Sequence, residues 1–131
     1  MTLDSVLLAD RHHRLSEGVR GLLETTFAAV FMVADEASLM AGATQIQPTV
    51  TVVDLSLARG DIARLLRDLR RCAPGSKVVL LSVHDEPAVV SVALAAGADG
   101  VVLKRNISTD LLAAVDSVVA GKQYVSPAVT H

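Results

Sequence analysis

Apolar and polar residues follow two different periods along this chain. Short, almost wholly apolar blocks alternate with longer segments in which apolar residues recur at every third or fourth position. Such a block is typical of a strand buried on both faces of a parallel sheet, and the longer spacing is typical of an amphipathic helix. The order repeats five times, with strand blocks at 6–9, 30–34, 49–54, 78–81 and 101–103. The pattern predicts a doubly wound α/β fold with a five-stranded parallel sheet.

The segments between the strand blocks predict five helices. Gly42 is a natural end for the second helix, and Pro48 prevents it from continuing into the third strand. Asp61 and Ser108 are placed to cap the third and fifth helices, because a short polar side chain can accept a hydrogen bond from a free N–H group of the first turn. The expected helices span 13–26, 36–44, a segment from 62 onward, 86–96 and 109–120.

Polar side chains follow four of the five strand blocks. Asp10 comes directly after the first block and Asp54 ends the third, while Ser82 follows the fourth and Lys104 the fifth. Because ligands of open parallel sheets bind outside the carboxyl ends of the strands, these side chains are expected to meet at one edge. Two carboxylates, a hydroxyl and an ammonium group would then form a functional site.

Composition narrows the class of protein. The chain has 131 residues, of which 51% are hydrophobic, so one domain with a substantial core is expected. A formal net charge of −2 gives no overall attraction to nucleic acid or anionic lipid. The single cysteine, Cys72, cannot form an internal disulfide, and no apolar run is long enough for a membrane span. We therefore expect a cytoplasmic protein that has no membrane segment.

Four motifs resemble those of a known family. They are VLLAD at 6–10, VVDL at 52–55, LLSVHD at 80–85 and GADGVVLK at 97–104. In order and spacing they resemble the receiver domain of bacterial two-component response regulators, in particular the LuxR/NarL branch, whose receivers precede a helix-turn-helix output domain. The resemblance implies a flavodoxin-like sheet of order 2-1-3-4-5 and a signalling switch for transcription regulation rather than an enzyme.

The same resemblance implies a domain organisation and a set of roles. Residues 1–122 would form the receiver domain, and 123–131 would begin a linker to an output domain absent from this chain, through which alone DNA would be contacted. Asp54 would accept a phosphoryl group from a sensor histidine kinase, Lys104 would contact a phosphoryl oxygen, and Ser82 would move toward the new group. Mg²⁺ would be held by Asp10, Asp54 and the backbone carbonyl of Ser56.

The sequence departs from the family pattern at Arg11, where such receivers usually carry a second acid that binds Mg²⁺ directly. Exchanging a carboxylate for a guanidinium changes the local charge by about two units, which weakens the binding of a nearby divalent cation. Three orientations are open: Arg11 pairs with Asp54, it replaces part of the cation, or it extends outward into solvent. Mg²⁺-dependent phosphorylation is therefore in question.

A second departure is Val101, at a position that is commonly aromatic in switching receivers. Together with Arg11 it favours an alternative function, a phosphorylation-independent pseudo-receiver that serves as a protein-interaction or ligand-sensing module. A flavodoxin-like redox protein is a weaker alternative, because no phosphate-binding loop follows the first strand. The four histidines, His12, His13, His84 and His131, form no recurring metal-ligand pattern and are interpreted as surface or loop residues.

The helix at 86–96 is apolar on nearly all sides, with Ser91 as almost its only polar residue. Such a helix is expected to be covered on more than one side, and another protein molecule could provide the second cover. We predict a homodimer through this helix, Val101 and the last helix.

Overall fold

The computed structural model describes residues 3–83 and 87–126. In this part of the chain a six-stranded parallel sheet has the order β2-β1-β3-β4-β5-β6. The strands are β1 Leu3–Ala9, β2 Phe27–Val33, β3 Val50–Asp54, β4 Lys77–Ser82, β5 Gly100–Leu103 and β6 Tyr124–Val125. The first five strands confirm the predicted order, and β6 is an addition that the sequence pattern did not predict.

Five α-helices connect the strands in the described residues. They are α1 His13–Leu23, α2 Glu36–Ile46, α3 Ile62–Cys72, α4 Pro87–Ala95 and α5 Ile107–Val119. Single 3₁₀ turns follow β3 at Leu55–Ala58 and β5 at Lys104–Asn106. None of the helices in the described ranges combines the length and the apolar character that a membrane crossing requires.

The sheet separates two apolar cores, and successive residues of each inner strand face one core and the other in turn. Val53 and Leu80 pack in the core beneath α2, α3 and α4, while Val52 and Leu81 pack in the core beneath α1 and α5. All four are fully buried. The unbroken apolar blocks of the sequence follow from this arrangement, because neither face of an inner strand contacts water.

Two of the predicted helix boundaries that differ from the structure have identifiable and different causes. Gly42 lies inside α2 rather than at its end. A Cβ at this position would lie only 3.3 Å from Leu7 Cδ2, so the absence of a side chain lets the helix approach β1 closely. The helix ends instead at Ile46, and Gln47, which follows it, has a positive φ of 49°. Ser108 does not cap α5, since the helix begins at Ile107, which is buried against the α1 side of the core. Asp61 does cap α3, accepting a hydrogen bond from the Arg64 N–H.

The segment after α5 is part of the sheet. The Tyr124 N–H donates to the Asp99 carbonyl at 3.1 Å, and the Ser126 N–H donates to the Val101 carbonyl at 3.0 Å. The Leu103 N–H donates to Ser126 Oγ at 3.0 Å, and Ser126 is fully buried. The first residues of the predicted linker therefore cover the edge of β5; residues 127–131 lie outside the described residues.

Val101 does not belong to an exposed surface, which corrects the predicted dimer interface. It is 1% exposed and lies in the core beneath α4. The exposed part of the predicted interface is formed by other residues, among them Val92 on α4 and Val119 on α5. The predicted helix start at Glu86 lies outside the described residues, and α4 is described from Pro87 onward.

Candidate functional site

Three of the charged residues at the strand ends meet at one edge of the sheet. Asp54 ends β3, Asp10 follows β1 and Lys104 follows β5. Lys104 Nζ lies 3.0 Å from Asp54 Oδ2 and 3.4 Å from Asp10 Oδ2. Both carboxylates are nearly buried, with Asp10 4% and Asp54 3% exposed. One ammonium group is thus shared between two acids in a site that water reaches poorly.

The environment of Asp54 favours its ionised form. Burial raises the pKa of this carboxyl, but hydrogen bonds from the Ser56 hydroxyl, from Lys104 and from the Ser56 N–H outweigh it, and the pKa lies below its ordinary value. Ser56 Oγ donates to Oδ2 at 2.8 Å and the Ser56 N–H donates to Oδ1 at 3.1 Å. At neutral pH Asp54 is therefore an anion, the form required of a nucleophile.

Ser82 and Ser56 lie at the same edge. Ser82 is 1% exposed and is the register partner of Leu103, the residue before Lys104. The carbonyl of Ser56 lies in the 3₁₀ turn after β3 and accepts a hydrogen bond from the Arg59 N–H at 3.4 Å. The predicted strand-end residues thus lie at the same edge of the sheet.

Arg11 points away from this site. It is exposed and borders a separate cleft, lined also by Asp35, Glu36 and Arg59. Within the described ranges it forms no ion pair with Asp10 or Asp54. Of the three orientations left open by the sequence, the structure shows the outward one. The side chain at position 11, where the family usually has its second acid, therefore contacts neither the Asp10 nor the Asp54 carboxylate.

His12 belongs to the site, a contact that its interpretation as a surface or loop residue did not include. Its ring Nδ1 lies 3.1 Å from Asp10 Oδ1 and 3.4 Å from Asp54 Oδ2, and its backbone N–H donates to Asp10 Oδ1 at 2.8 Å. The side chain is 57% exposed, as expected of a loop residue. His84 and His131 lie outside the described residues, and the side chain of His13 is not among those described.

A cavity of about 350 Å³ opens beside Asp54. Its lining includes polar groups of His12 and Lys104 and the apolar side chains of Ile62, Val83 and Val89. A phosphoryl group on Asp54 would have room there and would lie next to the Lys104 ammonium.

The carboxylates and the imidazole are also suited to a divalent cation. The ligand atoms of Asp10, His12 and Asp54 all lie within 4.8 Å of one another. This donor set fits a cation, although one carboxylate of the usual family set is replaced by the outward-pointing Arg11. Asp10, Asp54 and the Ser56 carbonyl are the groups that would hold Mg²⁺, which requires oxygen ligands.

Comparison with known proteins identifies the class to which this fold and site belong. Residues 6–116 match the family described as "Response regulator receiver domain", so the chain belongs to the response regulator receiver family. Its relatives include the transcriptional regulatory protein DegU of Brevibacillus brevis, 31% identical over 96% of this chain and 54% of that protein. The methanol utilization control regulatory protein MoxX of Paracoccus denitrificans is 33% identical over 92% of this chain and 55% of that protein. The chain thus spans about half the length of these relatives.

Solved structures give the same assignment. A LuxR-family two-component response regulator from Aurantimonas sp. superposes with a TM-score of 0.88 at 27% identity, over 98% of this chain and 93% of that one. The receiver domain of RcsB from Salmonella enterica serovar Typhimurium, determined with the phosphomimetic BeF₃⁻, gives a TM-score of 0.81 at 25% identity, over 98% and 96%. The chain is thus a receiver domain similar to those of LuxR/NarL-type regulators.

Proposed function

We propose that this receiver domain is a phosphorylation switch in which Asp54 accepts a phosphoryl group from a sensor histidine kinase. The observation that supports it is the ionised carboxylate of Asp54, held 3.0 Å from the Lys104 ammonium beside an open cavity. A carboxylate oxygen of Asp54 would attack phosphorus, an acyl phosphate would form, and the bond from phosphorus to the donor histidine would break. The domain is thus a switch rather than an enzyme that turns over a substrate.

Each neighbouring residue has a role in this proposal. Lys104 neutralises charge on the transferred group as a point charge, and Asp10 holds Lys104 in place from the other side. Ser82, at the end of the adjacent strand, would contact the added phosphoryl group. A bound Mg²⁺ would neutralise further negative charge, and its binding is weakened because Arg11 replaces an acid.

Intact-mass measurement after incubation with a small phosphodonor tests the proposal. The wild-type protein is expected to gain the mass of one phosphoryl group, and Asp54→Asn is expected to gain none. Asp61→Asn, which removes an exposed carboxylate at the start of α3, is the matched control and should react like the wild type. The reaction is run with and without Mg²⁺, and a weak dependence on Mg²⁺ is expected.

The absence of an adduct on Asp54 at any Mg²⁺ concentration would contradict the switch. That result would favour the alternative, a phosphorylation-independent pseudo-receiver that binds a protein or a small ligand. The outward position of Arg11, which leaves the cation site without its third acid, is the observation on which this alternative depends.

The names of the relatives support a setting for the proposed switch. DegU and RcsB are transcriptional regulatory proteins, and one RcsB structure contains two dimers bound to two parallel DNAs. We propose that this receiver likewise regulates transcription in the cytoplasm, through an output domain joined after β6. A homodimer through the exposed parts of α4 and α5 belongs to this proposal, with Val101 excluded from the interface because it is buried.

A further inference from the structure

The loop after β1 places a nitrogen ligand next to both carboxylates of the site. His12 Nδ1 lies 3.1 Å from Asp10 Oδ1 and 3.4 Å from Asp54 Oδ2. The two acids come from different strands, while the imidazole comes from the loop that separates β1 from α1. The three side chains therefore offer two oxygens and one nitrogen to a common point.

The conformation of the loop accounts for this position. The Asp10 carboxylate accepts a hydrogen bond from the His12 N–H at 2.8 Å, which closes a tight turn over Arg11. His12 has an extended backbone, with φ −94° and ψ 96°, before α1 begins. The turn leaves the Arg11 side chain exposed and brings the His12 ring back toward the acids. The outward direction of Arg11 and the inward direction of the His12 ring are thus consequences of one loop geometry.

The change in ligand type changes which cation the site favours. Mg²⁺ is a hard ion that is bound through oxygen and keeps several of its waters. Divalent transition ions such as Co²⁺, Mn²⁺ and Zn²⁺ also accept imidazole nitrogen, and Zn²⁺ is commonly held by histidine and carboxylate together. Two carboxylates and an imidazole form a donor set of this second kind. The exposed His12 ring can reorient toward an ion without disturbing the core, since 57% of its side-chain surface is accessible.

We propose that Asp10, His12 and Asp54 form a binding site for a divalent transition ion, with His12 as the ligand that sets the preference over Mg²⁺. This proposal rests on the proposed function, because it names the cation that the same site would bind. Binding of the ion is nevertheless measurable with no phosphodonor present. Lys104 keeps its contact with Asp54 Oδ2 and limits the affinity by its positive charge.

The test uses the complete 131-residue chain and two measurements, calorimetric titration with Mg²⁺ and Co²⁺ and the visible absorption of bound Co²⁺. Transition ions bind more tightly than Mg²⁺ to most sites, so the ratio in the wild type alone does not test the role of His12. The informative comparison is His12→Asn with His13→Asn, a matched change one residue along the chain. Cys72→Ser shows whether the half-buried thiol contributes to Co²⁺ binding.

His12→Asn is expected to lower the affinity for Co²⁺ at least tenfold, to change the absorption of the bound ion, and to leave Mg²⁺ affinity within twofold of the wild type. His13→Asn and Cys72→Ser are expected to change neither affinity. Equal Co²⁺ affinity and spectra for His12→Asn and the wild type, with circular dichroism showing that both are folded, would overturn the proposal. So would an equal loss of Mg²⁺ and Co²⁺ affinity in His12→Asn, because His12 would then set no preference.

The two proposals fail separately. If Asp54 is phosphorylated and Co²⁺ binding does not depend on His12, the cation proposal is wrong and the switch stands. If Co²⁺ binding depends on His12 and no donor modifies Asp54, the switch is wrong and the cation site stands.

Discussion

Lys104 is the residue on which the charge balance of the site depends. Its ammonium group lies within 3.4 Å of two nearly buried carboxylates, which would repel each other without it. The lysine side chain is itself only 10% exposed, so water screens the three charges weakly. A substitution at position 104 should therefore be observed first in the pKa of Asp54.

Replacing Lys104 with methionine keeps a side chain of similar length and removes the charge. We expect the pKa of Asp54 to rise, because two of the interactions that lower it come from Lys104. A titration followed by NMR of the carboxyl carbons measures this shift. Lys122→Met removes an exposed lysine after α5 and should leave the pKa of Asp54 unchanged. A pKa of Asp54 that stays the same in Lys104→Met would show that Ser56 alone holds it low.

The sequence could predict Asp10, Asp54 and Lys104 as a group because a parallel sheet brings the carboxyl ends of its strands to one edge. His12 could not be predicted in this way, since its position depends on a side-chain hydrogen bond to Asp10 within one loop. The outward direction of Arg11 depends on the same turn. The positions of the strands are visible in an extended apolar pattern, whereas the direction of a loop side chain depends on local geometry that the pattern does not record.

At the scale of elements, an ion pair joins α2 to α3. Arg64 Nη1 and Nη2 lie 2.6 and 3.2 Å from the two carboxylate oxygens of Glu36, and Asp68 lies 3.3 Å from the same guanidinium. The hydrogen bond from Arg64 lowers the pKa of Glu36 below its ordinary value, against the opposing effect of burial. This bidentate pair lies at the partly exposed surface, so its contribution to stability is small.

Glu36→Gln should reduce the free energy of unfolding at neutral pH by less than about 1 kcal/mol. Because the pKa of Glu36 is lower in the folded protein than in the unfolded chain, the stabilisation is present above about pH 4 and is lost as the pH falls through the folded-state value. Urea denaturation of both proteins at pH 7 and pH 3 should show the difference shrinking in acid. Glu24→Gln removes a longer, exposed contact with Arg20 and is expected to have no measurable effect. A difference between Glu36→Gln and the wild type that is unchanged at pH 3 would contradict this explanation.

The strand β6 is attached to β5 by main-chain bonds and by one buried hydroxyl. Ser126→Ala leaves the Leu103 N–H without its acceptor inside the protein, which should cost about 1–3 kcal/mol of unfolding free energy. Ser91→Ala, on the exposed side of α4, is the control and should change stability by less than about 0.5 kcal/mol. Denaturant unfolding measures both, and equal stabilities would show that β6 contributes little.

The sequence did not predict β6 because two residues are too short for a periodic pattern. Gly100 explains how β6 can lie so close to β5. A Cβ at this position would lie 3.4 Å from the Tyr124 carbonyl oxygen and 3.3 Å from Val118 Cγ1. The glycine leaves room for β6 and α5 to pack together. Tyr124 also contacts Asp110 of α5, and burial together with this carboxylate raises the pKa of the phenol.

At the scale of the whole molecule, the proposed homodimer depends on apolar residues that the domain itself leaves uncovered. Val92 on α4 is 52% exposed. Val92→Glu should shift the protein toward the monomer in light scattering over a concentration series with beryllofluoride present. Ala63→Glu adds the same charge at an exposed position of α3 and should leave the mass unchanged. A wild-type protein that stays monomeric throughout would exclude the dimer.

That the inner strands are buried on both faces was indicated by the unbroken apolar blocks, and the order of the first five strands was predicted from the resemblance to receiver domains. The extent of the sheet was not, because its last strand comes from a segment with the composition of a linker. The edge it covers is the one formed by β5, whose carboxyl end leads to Lys104.

With β6 in place, the two sides of the sheet differ in how they can meet another chain. In the described residues β2 is the outer strand of the other side, and its sequence, Phe27–Val33, contains no charge and no proline, with Phe31 43% exposed. Such a strand lacks the usual protections against pairing with a neighbour. Pairing of two β2 edges about a two-fold axis would be isologous, so it would join two copies and leave no further β2 edge free.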